Sequence, residues 1–418
     1  MLNKTNSLDK YDLYILVLGF LVNLFWILLI KTHPFSDFLY YHELAQQIAS
    51  GGQWGDTYTT VGYPVILGLF YKLFGAKLAI AKGLNVILSV INSLLVFGIL
   101  SKMALSKRIR KTILVLFVLF PMTIYYNSIL ATEILFTTIL LSSIYLYLSD
   151  IRQKFWLIGT LTGINTMIKP FFIVFFLVIF LTELITHKKF LNSLMKGLVV
   201  LGMTILIISP WLYRNYKFVG EYTYVSNNGG IVLYINNNSQ NKLGGWMPAS
   251  EVENSLVNLP QYQFANPTQR NEMLTSAAKQ WIITHPKDFF VLGIKRLGLT
   301  YLSSGDVAFS FNGTKLSEST KSLLILITAC IKLPIFYLGL FFIMVLTFFY
   351  IRKLLDHSLG ILMSSNDIFL LLIFYMFTGV YFITEGQSRY SFPIIFIIIY
   401  YSIIGLAYLR NHLRKLIS

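Results

Sequence analysis

Apolar runs separated by short basic turns fill most of this chain, and their lengths set its plan. Residues 11–30, 78–100 and 194–211 are long enough to carry a helix across a hydrocarbon layer, which takes roughly 17 to 25 residues. Shorter runs at 112–126, 134–148, 155–168, 171–185, 368–383 and 394–409 alternate with polar turns and read as further spans. Residues 322–350 are too long for one untilted span and too short for two, so Lys332-Leu333-Pro334 is expected to mark where that crossing begins. The pattern predicts an all-α polytopic membrane protein over 1–418, with about ten transmembrane helices and no separate soluble domain.

Two stretches interrupt the apolar rhythm. In 31–77, a helix is expected from Asp37 to Ser50, capped by Ser36 or Asp37 and stopped by Gly51-Gly52. The apolar segment 62–74 that follows is too short to cross and suits an interfacial helix. The longer stretch 215–321 opens with Asn/Gly-rich turn material holding a short apolar run suited to a strand. One or two helices are expected over 271–302, the second amphipathic and lying on the membrane.

Basic residues then sort the connections into two sides. Lys102, Lys107, Arg108, Arg110 and Lys111 form the densest cluster, and Arg152, Lys154, Lys188, Lys189, Arg352, Lys353, Arg410, Arg414 and Lys415 repeat the bias. The positive-inside rule places these turns in the cytoplasm, together with both termini and Lys4 and Lys10. The stretches 31–77 and 215–321 are then extracytoplasmic juxtamembrane loops. A net charge of +16 is accounted for by this bias and by anionic lipid headgroups, so no nucleic-acid partner is implied.

Composition agrees: 56% of residues are hydrophobic and 12% charged, against about 25% charged in soluble domains. The first apolar run is too long for a signal-peptide core and lacks a small-residue cleavage site, so it is a retained span. The lone Cys330 excludes an internal disulfide and any cysteine-rich metal site.

Some charges are not explained by sidedness. Residues 36–43 hold Asp37, Tyr40, Tyr41, His42 and Glu43 directly beside an apolar span. Glu133, Lys169, Arg214, Glu385 and Arg389 also fall at the outer ends of spans, where an ionisable group is costly unless paired or facing water. Each has a bland reading. Lys169 can snorkel, Arg214 can anchor beside Trp211 and Tyr213, Glu133 can favour a helix start, His42 can be a structural hydrogen-bonding group, and the tyrosines can be interfacial aromatics. Together they bring an acid able to act as a base and a ring of cations to one face. Such a set suits transfer from a lipid-linked phosphate donor, the carboxylate taking a proton from an acceptor hydroxyl while cations hold the leaving phosphate. No GxxxxGK[ST] phosphate loop occurs, which fits a preactivated donor. A lipid-linked saccharide flippase or transporter and a polysaccharide polymerase or ligase are the alternatives.

The motifs Ser36-Asp37-Phe38-x-x-Tyr41-x-x-x-Ala45, Gly62-Tyr63-Pro64, Leu73-Phe74-Gly75, Thr132-Glu133, Pro210-Trp211-x-x-Arg214-Asn215-Tyr216, Gly229-Gly230 and Glu385-x-x-x-Arg389-Tyr390-x-x-Pro393 occur in that order. In this the chain resembles bacterial GT-C glycosyltransferases of the protein-mannosyltransferase and lipid A aminoarabinose-transferase type, over nearly its whole length. The resemblance implies a polyprenyl-phosphate-sugar donor (undecaprenyl phosphate in bacteria), an extracytoplasmic acceptor and a site in the bacterial inner or plasma membrane. It implies Asp37 as the catalytic base supported by Glu133, and Arg214 and Arg389 near the donor phosphate. Lys169 joins them by location alone, with Tyr41, His42, Glu43, Glu385 and Tyr390 as supporting or substrate-contact residues. The chain departs from the pattern by ending after its last span, without the C-terminal domain of the lipid A enzymes. Phe38, not a second acid, follows Asp37, which argues against a paired-acid metal site; no cofactor is firmly implied and a divalent metal is not expected.

Overall fold

In a computed structural model, residues 8–355 and 364–417 are described, with side chains through Arg410; of the charge bias, Lys4 and the side chains of Arg414 and Lys415 lie outside what is described. Seventeen α-helices are linked by short 3₁₀ turns, with no strand among the described residues. They are α1 (Lys10–Leu29), α2 (Ser36–Ala49), α3 (Gly62–Phe74), α4 (Leu78–Lys102), α5 (Lys107–Val118), α6 (Pro121–Tyr125), α7 (Glu133–Tyr147), α8 (Lys154–Thr166) and α9 (Phe175–His187). There follow α10 (Phe190–Val219), α11 (Gly229–Asn236), α12 (Pro260–Phe264), α13 (Pro267–Thr284), α14 (Pro286–Leu302), α15 (Glu318–Leu355), α16 (Ser365–Ile383) and α17 (Ile395–Ile417).

Each expected span is helical, but not each is long enough to cross. Seven helices have the length and hydropathy of a membrane span, and an eighth arises if α5 and the Pro121–Ser128 segment, bent by 47°, count as one. The remaining two of the expected ten are α7, at 15 residues, and α8, at 13. At about 1.5 Å per residue both fall short of a hydrocarbon layer roughly 30 Å thick. Most residues of α7 are buried against other helices, so protein, not lipid, surrounds this central element. The chain is a multi-pass helical membrane protein of one domain.

Local details correct several expectations. Phe35, with extended backbone and no side-chain capping bond, holds the position before α2, so neither Ser36 nor Asp37 is spent as a cap. Ser36 itself sits at φ +48°, in the left-handed region that costs a residue with a Cβ about 1 kcal/mol or more. The apolar run placed as a strand is α11. Pro334 lies inside the continuous 38-residue α15 and marks no boundary. Lys332 points inward, fully buried, its Nζ donating to the Ser303 carbonyl at 2.6 Å. Pro210 likewise lies within α10, which runs on past Trp211 to Val219. Gly62 shows why the start of α3 tolerates no side chain: its N–H bonds the Met167 carbonyl at 2.9 Å, and a Cβ would stand 2.7 Å from that oxygen.

At the basic face, acids meet several of the cations that the sidedness rule counts. Lys107 and Lys111 pair with Asp9 at 2.6 and 2.8 Å, and Lys196, inside the expected span 194–211, pairs with Glu183 at 2.6 Å. Arg110 and Asp12, both buried, pair at 3.2 Å and join α5 to α1. Arg110→Met is expected to lower stability by about 3–5 kcal/mol, because it strands the Asp12 charge inside. Replacing both, as in Asp12→Leu with Arg110→Met, should recover most of that loss. Thermal midpoints in detergent compare the three proteins; a double variant no better than the single one would contradict the pairing argument.

Candidate active site

Four separate parts of the chain meet at the end of the bundle opposite the basic face: the start of α2, the start of α7, the Lys169-Pro170 corner between α8 and α9, and the 3₁₀ turn Ser388–Ile394 between α16 and α17.

Asp37 lies in the first turn of α2, with its side chain 55% exposed. The Arg389 guanidinium, 16% exposed, is 3.9 Å from its Oδ2. Behind them Glu133, almost fully buried at the first position of α7, receives Lys169 Nζ at 3.4 Å. Tyr390 connects the two pairs: Lys169 stands 5.4 Å from its ring centre and Arg389 also 5.4 Å. Tyr390 donates its hydroxyl to Glu385 at 2.7 Å, and Gln387 donates to the other oxygen of Glu385 at 2.8 Å. Glu385 therefore shapes the turn that carries Arg389, and does not face Asp37. Tyr41 packs edge-on against Tyr63 at 5.7 Å. Burial, then the neighbouring Asp37 carboxylate, holds the Tyr41 hydroxyl well above its ordinary range.

The other expected site residues stand apart. His42 turns to α3, its Nδ1 at 2.6 Å from the Tyr71 hydroxyl, and burial lowers its pKa. Glu43 is exposed and in no ion pair among the described residues. Arg214 donates to the carbonyls of Gly55 and Asp56, the latter at 2.9 Å, and so fastens the loop after α2 to the end of α10. Among the described residues, no group of three or more His, Cys, Asp or Glu side chains is arranged to hold a metal ion, and Asp37's charged neighbour is an arginine.

Two residues of this region escaped the sequence reading. Asp306, in the 3₁₀ turn Gly305–Phe311, accepts the backbone N–H of Arg389 at 2.9 Å. An acid beside glycine in the long loop was a visible signal, but nothing along the chain ties it to position 389. Arg296, on α14, is fully buried. It donates to the carbonyls of Phe382 (2.7 Å), Ile383 (3.1 Å) and Asn236, and to Asn237 Oδ1 at 2.9 Å. Burial pushes its pKa down to about 10, so it stays charged at neutral pH. It anchors the end of α16, three residues before Gly386, whose Cβ position is filled by the Arg296 backbone. Arg296→Met leaves these carbonyls without a donor and is expected to cost about 2–4 kcal/mol. Thermal unfolding checks this, and Arg296→Lys should recover part of the loss.

Chemically, the arrangement offers a partly exposed carboxylate beside a largely buried cation, with a second cation held by a buried acid. It can accept a proton and stabilise a phosphate in one place.

No family model matches the chain, and no curated protein matches it in sequence. Solved structures do match in fold. The Archaeoglobus fulgidus oligosaccharyltransferase, crystallised with a tethered acceptor peptide containing the NVT sequon, aligns with a TM-score of 0.52 at 12% identity, over 98% of this chain and 51% of that one. This chain thus spans about half the length of the archaeal enzyme. ArnT from Cupriavidus metallidurans, bound to undecaprenyl phosphate, aligns with a TM-score of 0.46 at 12% identity, over 96% of this chain and 78% of that one. The fold shared with the oligosaccharyltransferase is the GT-C fold.

Proposed function

We propose that this GT-C chain is an integral-membrane glycosyltransferase that moves a sugar from a polyprenyl-phosphate donor to a hydroxyl of an extracytoplasmic acceptor (glycan, lipid or protein). The observation that carries the reading is the Asp37–Arg389 pair, half open to solvent, backed by Glu133 and Lys169. The acceptor atom attacks the anomeric carbon, and the bond from that carbon to the phosphate oxygen breaks. The acceptor's proton passes to Asp37. The phosphate departs on its lipid with its added charge facing Arg389 and Lys169, a preorganised setting that needs little reorganisation. Glu133 keeps Lys169 from swinging to the headgroups. Arg214 acts through the loop that it fastens. The fold shared with the archaeal oligosaccharyltransferase supports this reading.

The alternatives have less behind them. A transporter reading leans on broken helices in matching positions of two halves; here one bent pair occurs among the described residues. A polymerase reading leans on loop arginines, yet Arg296 is buried on carbonyls and Arg270 is held by the carbonyls of Tyr262 and Gln263.

The test is a panel of polyprenyl-phosphate sugars incubated with purified protein in lipid, reading consumption of each donor. Consumption of at least one, dependent on an acceptor fraction, is the expected result. Folded protein that consumes none of them overturns the assignment.

A further inference from the structure

Arg214, expected beside the donor phosphate, lines an open surface groove. About 440 Å³ in volume, it is lined by Gln53 and Trp54 of the loop after α2 and by Trp211, Arg214, Lys217 and Phe218 at the end of α10. Depth follows from helix length. The 30 residues of α10 make about 45 Å, some 15 Å more than a hydrocarbon layer spans. Its apolar run ends near Trp211, so the next two turns, which line the cleft, stand at the headgroup level of the leaflet on the candidate site's side.

The charge in this cleft is fixed. The Arg214 guanidinium is sandwiched between the rings of Trp211 and Phe218, 4.6 and 4.7 Å from their centres. Its edge is bound to Asp56 and Asn215 at 2.9 and 3.1 Å and to Gly55. These contacts hold the guanidinium in one orientation. Backbone carbonyls orient the guanidinium, and the nearby Asp56 carboxylate, which accepts the Tyr58 N–H at 2.8 Å, offsets part of its charge. Lys217 is exposed above it, 5.6 Å from the Tyr213 ring centre and in no ion pair among the described residues. No carboxylate lines the cleft, while Trp54 and Phe218, both about half exposed, offer apolar walls. Two cations with apolar walls at this depth are complementary to a phosphodiester flanked by the upper part of its acyl chains.

The geometry assigns this cleft to the phosphate headgroup of an anionic phospholipid, a site separate from the Asp37–Arg389 cluster. A bound headgroup would brace the loop of residues 51–61, and through it the position of α2. The assignment does not depend on the transferase reading, since it is tested by lipid binding alone.

Full-length protein is reconstituted in vesicles carrying brominated phosphatidylglycerol or brominated phosphatidylcholine, and quenching of Trp54 is taken as the difference from Trp54→Phe. The expected result is stronger quenching by brominated phosphatidylglycerol, equivalent to an affinity advantage of about fivefold or more, the order expected for one lysine near an anionic headgroup. Lys217→Glu should abolish the advantage and Asp37→Asn should leave it intact. Equal quenching by the two lipids, or an advantage that survives Lys217→Glu, overturns the proposal. So does displacement of phosphatidylglycerol by substoichiometric undecaprenyl phosphate, which would give the cleft to the sugar carrier. A failed donor panel with intact phosphatidylglycerol selectivity would count against the transferase reading and not against this one.

Discussion

Asp37→Asn is expected to lower sugar transfer by about 10²- to 10⁴-fold, the range a positioned general base contributes, with little change in fold or donor binding. The asparagine is isosteric but accepts no proton at neutral pH. Folding should be spared because Asp37 makes no capping bond, its side chain is about half exposed, and its ion-pair contact with Arg389 is long, at 3.9 Å. Pairs of that exposure are worth about 0–1 kcal/mol. Initial rates with the best donor from the panel, alongside the thermal midpoint, separate the two effects. Near-normal turnover in this variant would sink the assignment of the base.

Arg389→Gln should reduce transfer by about 10²- to 10³-fold, the usual loss when a preorganised donor to developing negative charge is removed. Unlike the Asp37 variant, it should also weaken binding of the unreactive product, undecaprenyl phosphate. Arg389→Lys keeps the charge but not the planar fork, and should fall between. The backbone bond from Arg389 to Asp306 is unaffected by either change, so the turn itself should persist. Because Asp37 and Arg389 touch, the double variant should lose less than the product of the two single losses. Strict additivity in that cycle would mean that the two side chains work at separate places.

The pairing of Arg389 with Asp37 also shows where reading along the chain stops. Asp37 and Glu133 stand out in sequence because an acid beside an apolar run is costly, and both lie in the cluster. Lys169 was placed by location alone, and its 3.4 Å contact with Glu133 ties it to the same spot. Arg214, at a similar depth and with a motif behind it, bonds the carbonyls of Gly55 and Asp56. Depth in the membrane is encoded by distance from the end of a span, but rotation around the bundle is not. Arg296 illustrates the converse: an arginine in a polar loop signals solvent, and only its neighbours from α11 and α16 turn it into a buried anchor.

The pattern of apolar runs and basic turns by itself determined that the chain is an all-helical multi-pass membrane protein, and where nearly every helix lies. Those properties follow from local costs: a run of apolar side chains leaves water, and its backbone must satisfy its own hydrogen bonds. Only the tertiary structure decided which helices are too short to cross, that Pro210 and Pro334 interrupt nothing, and which charges meet. Each of these depends on a partner many residues away. A short helix is stable when other helices wrap it, as around α7, and a buried cation is tolerated when distant carbonyls surround it, as around Arg296.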